Sequence, residues 1–147
     1  MAGIPEVQRF FREAGSVDVD KSDLDRYRAF VDEKIDDLAV AGRGAATWNG
    51  RDVVAPQDLP ITAGLQERMR EFGRLDSADD LRQWLGPALR RPPDDVTFGE
   101  ETEGVLTEAF GGISVALARS FRIVDPDVKN PSSQHWERAV ELFRLTL

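Results

Sequence analysis

The sequence predicts an all-α fold in which two consecutive units of short, long and short helices form an intramolecular pseudodimer with crossed long helices. Apolar residues recur every three or four positions along most of the chain, the spacing of helices that bury one face. Two of these helical segments are much longer than the others. The same order of helices recurs at an offset of about 75 residues, as in a chain built from two structural repeats.

The first unit covers residues 1–75. Its first helix carries apolar residues from Ile4 to Ala14 and is expected to end at Gly15. The second helix is predicted to be about 28 residues long, with Ser22 as its N-cap. The remaining predicted features are a stop at Asn49-Gly50, an extended segment RDVV, and a third helix that opens at Pro56 and Asp58.

The second unit covers residues 76–147, and the two units together are expected to form one compact domain, 1–147. Ser77 is predicted to cap a short helix that Pro87 kinks. A connector, RRPPDDVTF, leads to the second long helix. The last two helices are predicted at about residues 99–124 and 132–146, separated by the loop DPDVKNP.

The crossing of the long helices follows from their length. A helix of about 28 residues is roughly 40 Å long, so the short helices of its own unit leave the middle of its apolar stripe bare. Gly111 and Gly112 lie at the centre of the second long helix. Two such glycines cost about 2 kcal/mol relative to alanine. Close backbone approach at a helix crossing would offset that cost, and the alternative is that the glycines split the helix in two.

Composition limits the classes of function. The 147 residues carry a net charge of −8 that is spread evenly, and such a surface repels phosphate. No cysteine is present, which excludes disulfides and thiol chemistry. No run of 18 apolar residues and no signal-peptide pattern occur, so we expect a cytoplasmic protein, with the nucleoid as one location.

Two segments of the first unit resemble archaeal histones: IPEVQRFFREAG, which is similar to their first helix, and GRDVVAPQDL, which is similar to their second loop and third-helix start. The whole chain further resembles a bacterial family of histone-like proteins of unknown function that fuse two histone folds into a pseudodimer. The resemblance implies a histone fold in each half. It also implies an ion pair between Arg51 and Asp58 that clamps the second loop to the third helix.

The same resemblance implies where DNA would be contacted. Arg9 lies six residues before Gly15, the spacing of the first-helix arginine that enters the minor groove in archaeal histones, and Arg12 follows one turn later. The alternative for both is a solvated helix face. The DNA hypothesis is therefore a weak, salt-sensitive contact that is made through four bases: Arg9, Arg12, Arg51 and Lys129.

Other positions depart from the archaeal pattern. Asp52 and Val53 replace the Lys-Thr pair that contacts phosphate, and Lys129 is the only base in the loop DPDVKNP. The positions that match the clamp residues in the second half are Pro126 and Ser133, so that clamp is predicted to be missing. We therefore expect that the chain does not wrap DNA.

No pattern supports catalysis, a metal site or a cofactor. The segment DVDKSD lacks the glycine and glutamate of a calcium loop. GRGAAT lies within a helical pattern, unlike a phosphate-binding loop. His135 is the single histidine, and nothing near it in the sequence suggests a zinc site or a catalytic base. The chain is accordingly predicted not to be an enzyme.

Two classes of binding protein stay open, and the first is favoured because the resemblance implies it, although the net charge opposes it. One is a nucleoid-associated protein with weak DNA contact. The other is a protein-interaction module, which would bind its partner on an outer face because the fusion already fills the dimer interface. Three tryptophans are expected in the core or at its edge: Trp48, Trp84 and Trp136. The alternative is that they form a partner-binding patch.

Overall fold

The computed structural model describes residues 3–89 and 95–146, which are predominantly helical, as predicted. Within these ranges there are six α-helices, a short 3-10 helix (Pro56–Asp58) and two short strands. The elements are α1 (Ile4–Gly15), α2 (Lys21–Trp48), β1 (Val53–Val54), α3 (Ala63–Arg74), α4 (Ala78–Leu89), β2 (Thr97–Phe98), α5 (Glu100–Val124) and α6 (Ser133–Arg144). Part of the connector RRPPDDVTF, residues 90–94, lies outside the described residues. No helix in the described part is long and apolar enough to span a bilayer.

The short–long–short order of helices is present twice. The two long helices have 28 and 25 residues, and each of the four short helices in the described ranges has 12. The length predicted for α2 is confirmed, and α5 runs without a break through Gly111 and Gly112. The alternative that these glycines split the helix is therefore wrong.

Two helix starts differ from the prediction. Asp20, rather than Ser22, caps α2: its carboxylate accepts a hydrogen bond from the main-chain N–H of Asp23 at 3.0 Å. Pro56 opens only the short 3-10 helix, and α3 begins after Thr62. The interruption has a steric cause, because Pro60 disfavours a helical conformation at Leu59, which is extended.

The end of α1 also differs from the prediction. Gly15 is still helical, and the left-handed residue that ends the helix is Ser16, with φ of 55°. Gly15 is needed for another reason. A Cβ at this position would lie 2.2 Å from the carbonyl oxygen of Ala118, so only glycine lets α1 approach α5 this closely.

Helix α5 forms the centre of the molecule. It is buried at nearly every position from 109 to 118 and packs against α1, α3, α4 and α6. The two long helices are joined by a buried hydrogen bond of 2.6 Å between Tyr27 Oη and Ser114 Oγ.

The paired glycines of α5 allow close approach, but their neighbour is a short helix. A Cβ on Gly111 would lie 2.2 Å from the ring of Phe72, and one on Gly112 would lie 2.8 Å from the side chain of Met69. Both neighbours belong to α3. The expectation that Gly111 and Gly112 mark the crossing of the two long helices is corrected: their close contact is with α3, because the aromatic ring of Phe72 occupies the space a methyl group would need.

Each unit's first loop pairs with the second loop of the other unit. At one end, β1 and β2 pair in parallel, with Val53 opposite Thr97 and Val54 opposite Phe98. At the other end, the N–H of Asp18 donates to the carbonyl of Lys129 at 2.7 Å. The two units are therefore interlocked at both ends, and one apolar core includes residues from both.

A carboxylate on α1 holds the junction between the units. Glu13 accepts hydrogen bonds from the main-chain N–H groups of Asp76 and Ser77, each at 3.0 Å. The hydroxyl of Ser77 donates to the same carboxylate at 2.6 Å. Ser77 does precede α4, as predicted, but its side chain is directed to α1.

Candidate nucleic-acid interface

The two candidate arginines of α1 are exposed, and each contacts a carboxylate. Arg9 Nη1 lies 2.7 Å from Asp80 Oδ2, so this ion pair joins α1 to α4. Arg12 Nε lies 3.0 Å from Asp18 Oδ1, in the loop that follows α1. The arginine side chains keep 57% and 67% of their surface exposed. Their positive charges are thus largely compensated by acids of the same molecule.

Arg51 and Asp58, the pair implied by the resemblance, lie in direct contact. Arg51 donates from Nη1 to Asp58 Oδ2 at 2.6 Å and from Nη2 to Oδ1 at 2.7 Å. The N–H of Ala55 also donates to Asp58 Oδ2, at 2.7 Å. The hydrogen bonds from Arg51 are the main reason why the pKa of the Asp58 carboxyl lies below its usual value. This bidentate contact fixes the conformation of the loop that contains β1.

The residues beside this clamp are unsuited to phosphate. Asp52 is exposed and negatively charged. Val53 is 44% exposed and pairs through its backbone with Thr97. Neither side chain can donate a hydrogen bond to a phosphate oxygen at neutral pH.

The loop of the second unit has a clamp of its own, which the sequence analysis missed. His135 Nε2 lies 3.0 Å from Asp125 Oδ2 and thereby closes the loop between α5 and α6. This contact is the main cause of the lowered pKa of the Asp125 carboxyl. The acid here precedes the base in sequence, the reverse of Arg51 and Asp58. Asp125 and His135 do not stand at the positions that match Arg51 and Asp58, so the spacing of the first clamp does not predict this pair.

Ser132, His135 and Asp125 lie in the order of a hydrolase triad. Ser132 Oγ is 2.9 Å from His135 Nδ1, on the side of the ring opposite Asp125. However, the main-chain N–H of Ser132 also donates to Nδ1, at 2.9 Å, which places the acceptor lone pair on that nitrogen. Ser132 is at the same time the N-cap of α6. These three residues therefore have structural roles: Ser132 caps α6, and His135 with Asp125 closes the loop before it.

Two further bases lie at this end of the molecule, one in the loop after α5 and one in the last turn of α5. Lys129 is exposed, and its carbonyl accepts the hydrogen bond from Asp18. Arg122 Nη2 donates to the carbonyl of Ser16 at 3.0 Å and was not predicted as part of the site. Its position near the end of α5, opposite the first loop, emerges only from the pairing of the two units.

The structure also places the residues that were considered for metal or phosphate binding. In DVDKSD, Asp20 caps α2, and the buried Asp23 accepts a hydrogen bond from Trp136 Nε1 at 2.8 Å. Within GRGAAT, Gly42 is helical, and a Cβ there would lie 2.9 Å from Val54. The described residues contain no group of three or more His, Cys, Asp or Glu side chains that could hold a metal ion.

The tryptophans have three different environments. Trp136 is buried, and Trp84 is half-buried, stacked on Tyr27 with ring centroids 4.8 Å apart. Trp48, at the end of α2, is 89% exposed. Its predicted place in or beside the core is wrong, because its side chain lies on the exposed face of the last turn of α2, in which Ala46 is the buried residue.

These features define a predominantly helical protein in which a short–long–short order of helices occurs twice and the loops are held by acid–base pairs. The chain belongs to the family described as "Domain of unknown function (DUF1931)", whose model matches residues 7–144. A crystal structure of a Thermus thermophilus protein is similar over 99% of both chains, with a TM-score of 0.86 and 40% identity. A crystal structure of an Aquifex aeolicus protein has a TM-score of 0.85 over 99% of this chain and 96% of that chain, with 21% identity, and shares the fold.

Two curated relatives, both from Aquifex aeolicus, are described as uncharacterized proteins. The first is 24% identical over 111 residues, 76% of this chain, and the match spans only 65% of the relative's length. The second is 26% identical over 133 residues, 84% of this chain and 79% of the relative.

Proposed function

We propose that this chain is a histone-type pseudodimer that acts as a non-catalytic, protein-binding module and does not wrap DNA. The histone-type assignment is supported by the pairing of the first loop of each unit with the second loop of the other. The clamp between Arg51 and Asp58 supports it further, because the resemblance to archaeal histones implies that pair. The pseudodimer interface is satisfied within the chain, so a partner binds on an outer face.

The observation that carries the choice of protein over DNA is that three of the four candidate bases have a carboxylate partner. Arg9, Arg12 and Arg51 each have a carboxylate oxygen within 3.0 Å. Binding to DNA gains free energy when Lys and Arg neutralise phosphates and release counterions. An arginine that already has a carboxylate partner gains less, and the net charge of −8 adds long-range repulsion.

Weak DNA contact is the second candidate. Arg9 and Arg12 are more than half exposed, and exposed ion pairs contribute only about 0–1 kcal/mol. Phosphates at low salt could therefore compete with Asp80 and Asp18 for these two arginines.

Fluorescence anisotropy with a labelled duplex at about 50 mM salt separates the two candidates. We expect no binding by the native chain at tens of micromolar. The double variant Asp18→Asn and Asp80→Asn frees both arginines and should bind in a salt-sensitive manner. Asp32→Asn with Asp36→Asn makes the same change of net charge at exposed positions of α2 and should not bind. Binding by the native chain that Arg9→Ala with Arg12→Ala abolishes would establish the DNA candidate instead.

Pull-down from lysate with and without nuclease tests the protein-binding proposal. Partners that bind the module directly should be recovered equally in both conditions. Recovery that disappears after nuclease treatment would show that nucleic acid mediates the association, and the proposal would then be wrong.

A further inference from the structure

A cavity of about 330 Å³ lies between α3 and α5, with Phe143 of α6 as a further lining residue. Its volume is at the small end of the range of about 300–1,000 Å³ that is usual for ligand sites. The lining residues recur at three- and four-residue spacing, so one face of each helix forms a wall. The two faces are marked by Thr62, Leu65 and Arg68 on α3 and by Ala116, Arg119 and Ile123 on α5.

The charged residues that line this cavity are both basic, although the chain has a net charge of −8. Arg119 Nη1 lies 2.9 and 3.0 Å from the two carboxylate oxygens of Glu71, and Arg68 Nη2 lies 2.9 Å from Oε1 of the same group. Two guanidinium groups therefore share one carboxylate. Arg9 and Arg12, by contrast, each contact an acid of their own. The wall of the cavity thus carries an excess of one positive charge.

The Nε–H group of Arg68 is a donor that lacks an acceptor. The Nε atom is buried, and no hydrogen-bond partner contacts it within the part of the chain that the structure describes. Buried donors nearly always have a partner in folded proteins. This one therefore indicates an acceptor that the described protein atoms do not supply.

The cavity also presents apolar surface that solvent can reach. Ile123 is 77% exposed, and Ala116 and Phe143 are half-buried. The ring of Phe143 is held edge to face against Phe30, with ring centroids 5.1 Å apart. A ligand in the cavity therefore meets accessible apolar side chains beside the two arginines.

We propose that this cavity binds a small organic carboxylate with an apolar body. The carboxylate accepts hydrogen bonds from Arg68 Nε and from the guanidinium group of Arg119, and such charge-assisted bonds are strong. The apolar body covers Ala116, Ile123 and Phe143, and the burial of that surface adds favourable free energy. A single excess positive charge suits a monoanion. The site goes beyond the protein-binding function proposed above and does not depend on it.

NMR titration of the ¹⁵N-labelled chain with three probes tests the assignment. Hexanoate has the charge and the apolar chain, hexanamide has the chain without the charge, and acetate has the charge with only a methyl group. We expect hexanoate to shift the Nε–H signal of Arg68 and to bind with a Kd of about 1 mM. Hexanamide and acetate should each bind at least about tenfold more weakly. Equal binding of hexanoate and hexanamide, or no saturable binding of hexanoate up to about 20 mM, overturns the assignment.

Variants locate the binding on the molecule. Arg68→Gln and Arg119→Gln each remove one charge from the wall and should weaken hexanoate binding about tenfold. Arg74→Gln is the matched control, because it removes one exposed charge from the end of the same helix, outside the cavity, and should leave the Kd unchanged.

Replacement of the shared acid should have the opposite effect. Glu71→Gln leaves both guanidinium groups without their carboxylate and should strengthen hexanoate binding about threefold or more. The amide spectrum of each variant shows whether it is folded. Unaltered binding in both arginine variants, or weaker binding by folded Glu71→Gln, overturns the assignment.

Discussion

The main-chain N–H of Asp18 donates a 2.7 Å hydrogen bond to the carbonyl of Lys129, 111 residues later in the chain. This contact joins the first loop of one unit to the second loop of the other. At the opposite end, the N–H of Gly99 donates to the carbonyl of Val54 at 3.1 Å, next to the paired strands. The loop at each end is also closed by an acid–base pair, His135 with Asp125 at one end and Arg51 with Asp58 at the other.

Replacement of His135 should loosen the end of the molecule that contains Lys129. His135→Ala removes the contact with Asp125 and one partner of the cap at Ser132. We expect amide hydrogen exchange of Asp18 to become about tenfold faster, because its acceptor carbonyl lies in the loop that the clamp closes. NMR-detected exchange on the folded protein measures this directly.

The amide of Gly99 is an internal control for that experiment. It lies at the other end of the molecule and should exchange at an unchanged rate in the same variant. Equal acceleration of both amides would mean that His135→Ala lowers global stability and has no local effect on the clamp.

Removal of the charge on Asp58 should lower thermal stability in a pH-dependent manner. The folded-state pKa of this carboxyl is depressed, so its contribution is present above the unfolded-state pKa of about 3.9 and is lost as the pH falls through the folded-state pKa. Asp58→Asn should therefore lower Tm by several degrees between pH 5 and 7. The difference from the native chain should shrink below about pH 4 as the native carboxyl is protonated.

Asp52→Asn serves as the matched variant for Asp58→Asn. Asp52 is also in the loop beside Arg51 but is exposed, and its replacement should leave Tm almost unchanged at every pH. A difference between native chain and Asp58→Asn that grows toward acid pH would contradict the role assigned to the pair.

Two glycines of α5 should respond oppositely to alanine. Gly111→Ala gains about 1 kcal/mol of helix propensity but forces a Cβ against Phe72, and overpacking costs about 1–3 kcal/mol or more. Because the Cβ would lie only 2.2 Å from the ring, we expect net destabilisation. Gly104→Ala, with no atom within 4 Å of its Cβ, should stabilise by about 0.5–1 kcal/mol. Urea denaturation of both variants measures the two changes, and stabilisation by Gly111→Ala would show that α3 can move away.

Ser132 should not react with a fluorophosphonate probe. The lone pair of His135 Nδ1, which would have to accept the hydroxyl proton, already accepts the main-chain N–H of Ser132. A known serine hydrolase is the positive control. Labelling that Ser132→Ala and His135→Ala each abolish would show an activated nucleophile and would contradict the interpretation of this group as a cap and clamp.

Helix content and order could be predicted from the sequence because they depend on local periodicity. The 28-residue length of α2 followed from the apolar stripe between an acidic start and Asn49-Gly50. The end of α1 and the start of α3 could not be placed as well. Gly15 is needed for the close approach to Ala118, a residue more than a hundred positions away, and not for the end of the helix. Pro60, which delays the start of α3, is by contrast a local signal that the sequence contains.

For the candidate site, the sequence predicted which residues take part but, apart from one pair, not which residues contact one another. Arg51 and Asp58 are close in sequence, so a familiar spacing was enough to name them together. The acid next to Arg9 is Asp80, and the helix next to Gly111 is α3, and neither follows from spacing, because each contact crosses from one unit to the other.

The sequence by itself determined the all-helical class, the two-unit order and the negative charge, since these depend on local pattern and composition. Only the tertiary structure decided which charges neutralise one another, which residues stay exposed and which helix meets the paired glycines. The physical reason is that ion pairing and burial depend on distances through space, and in this chain the interlocking of the two units sets those distances.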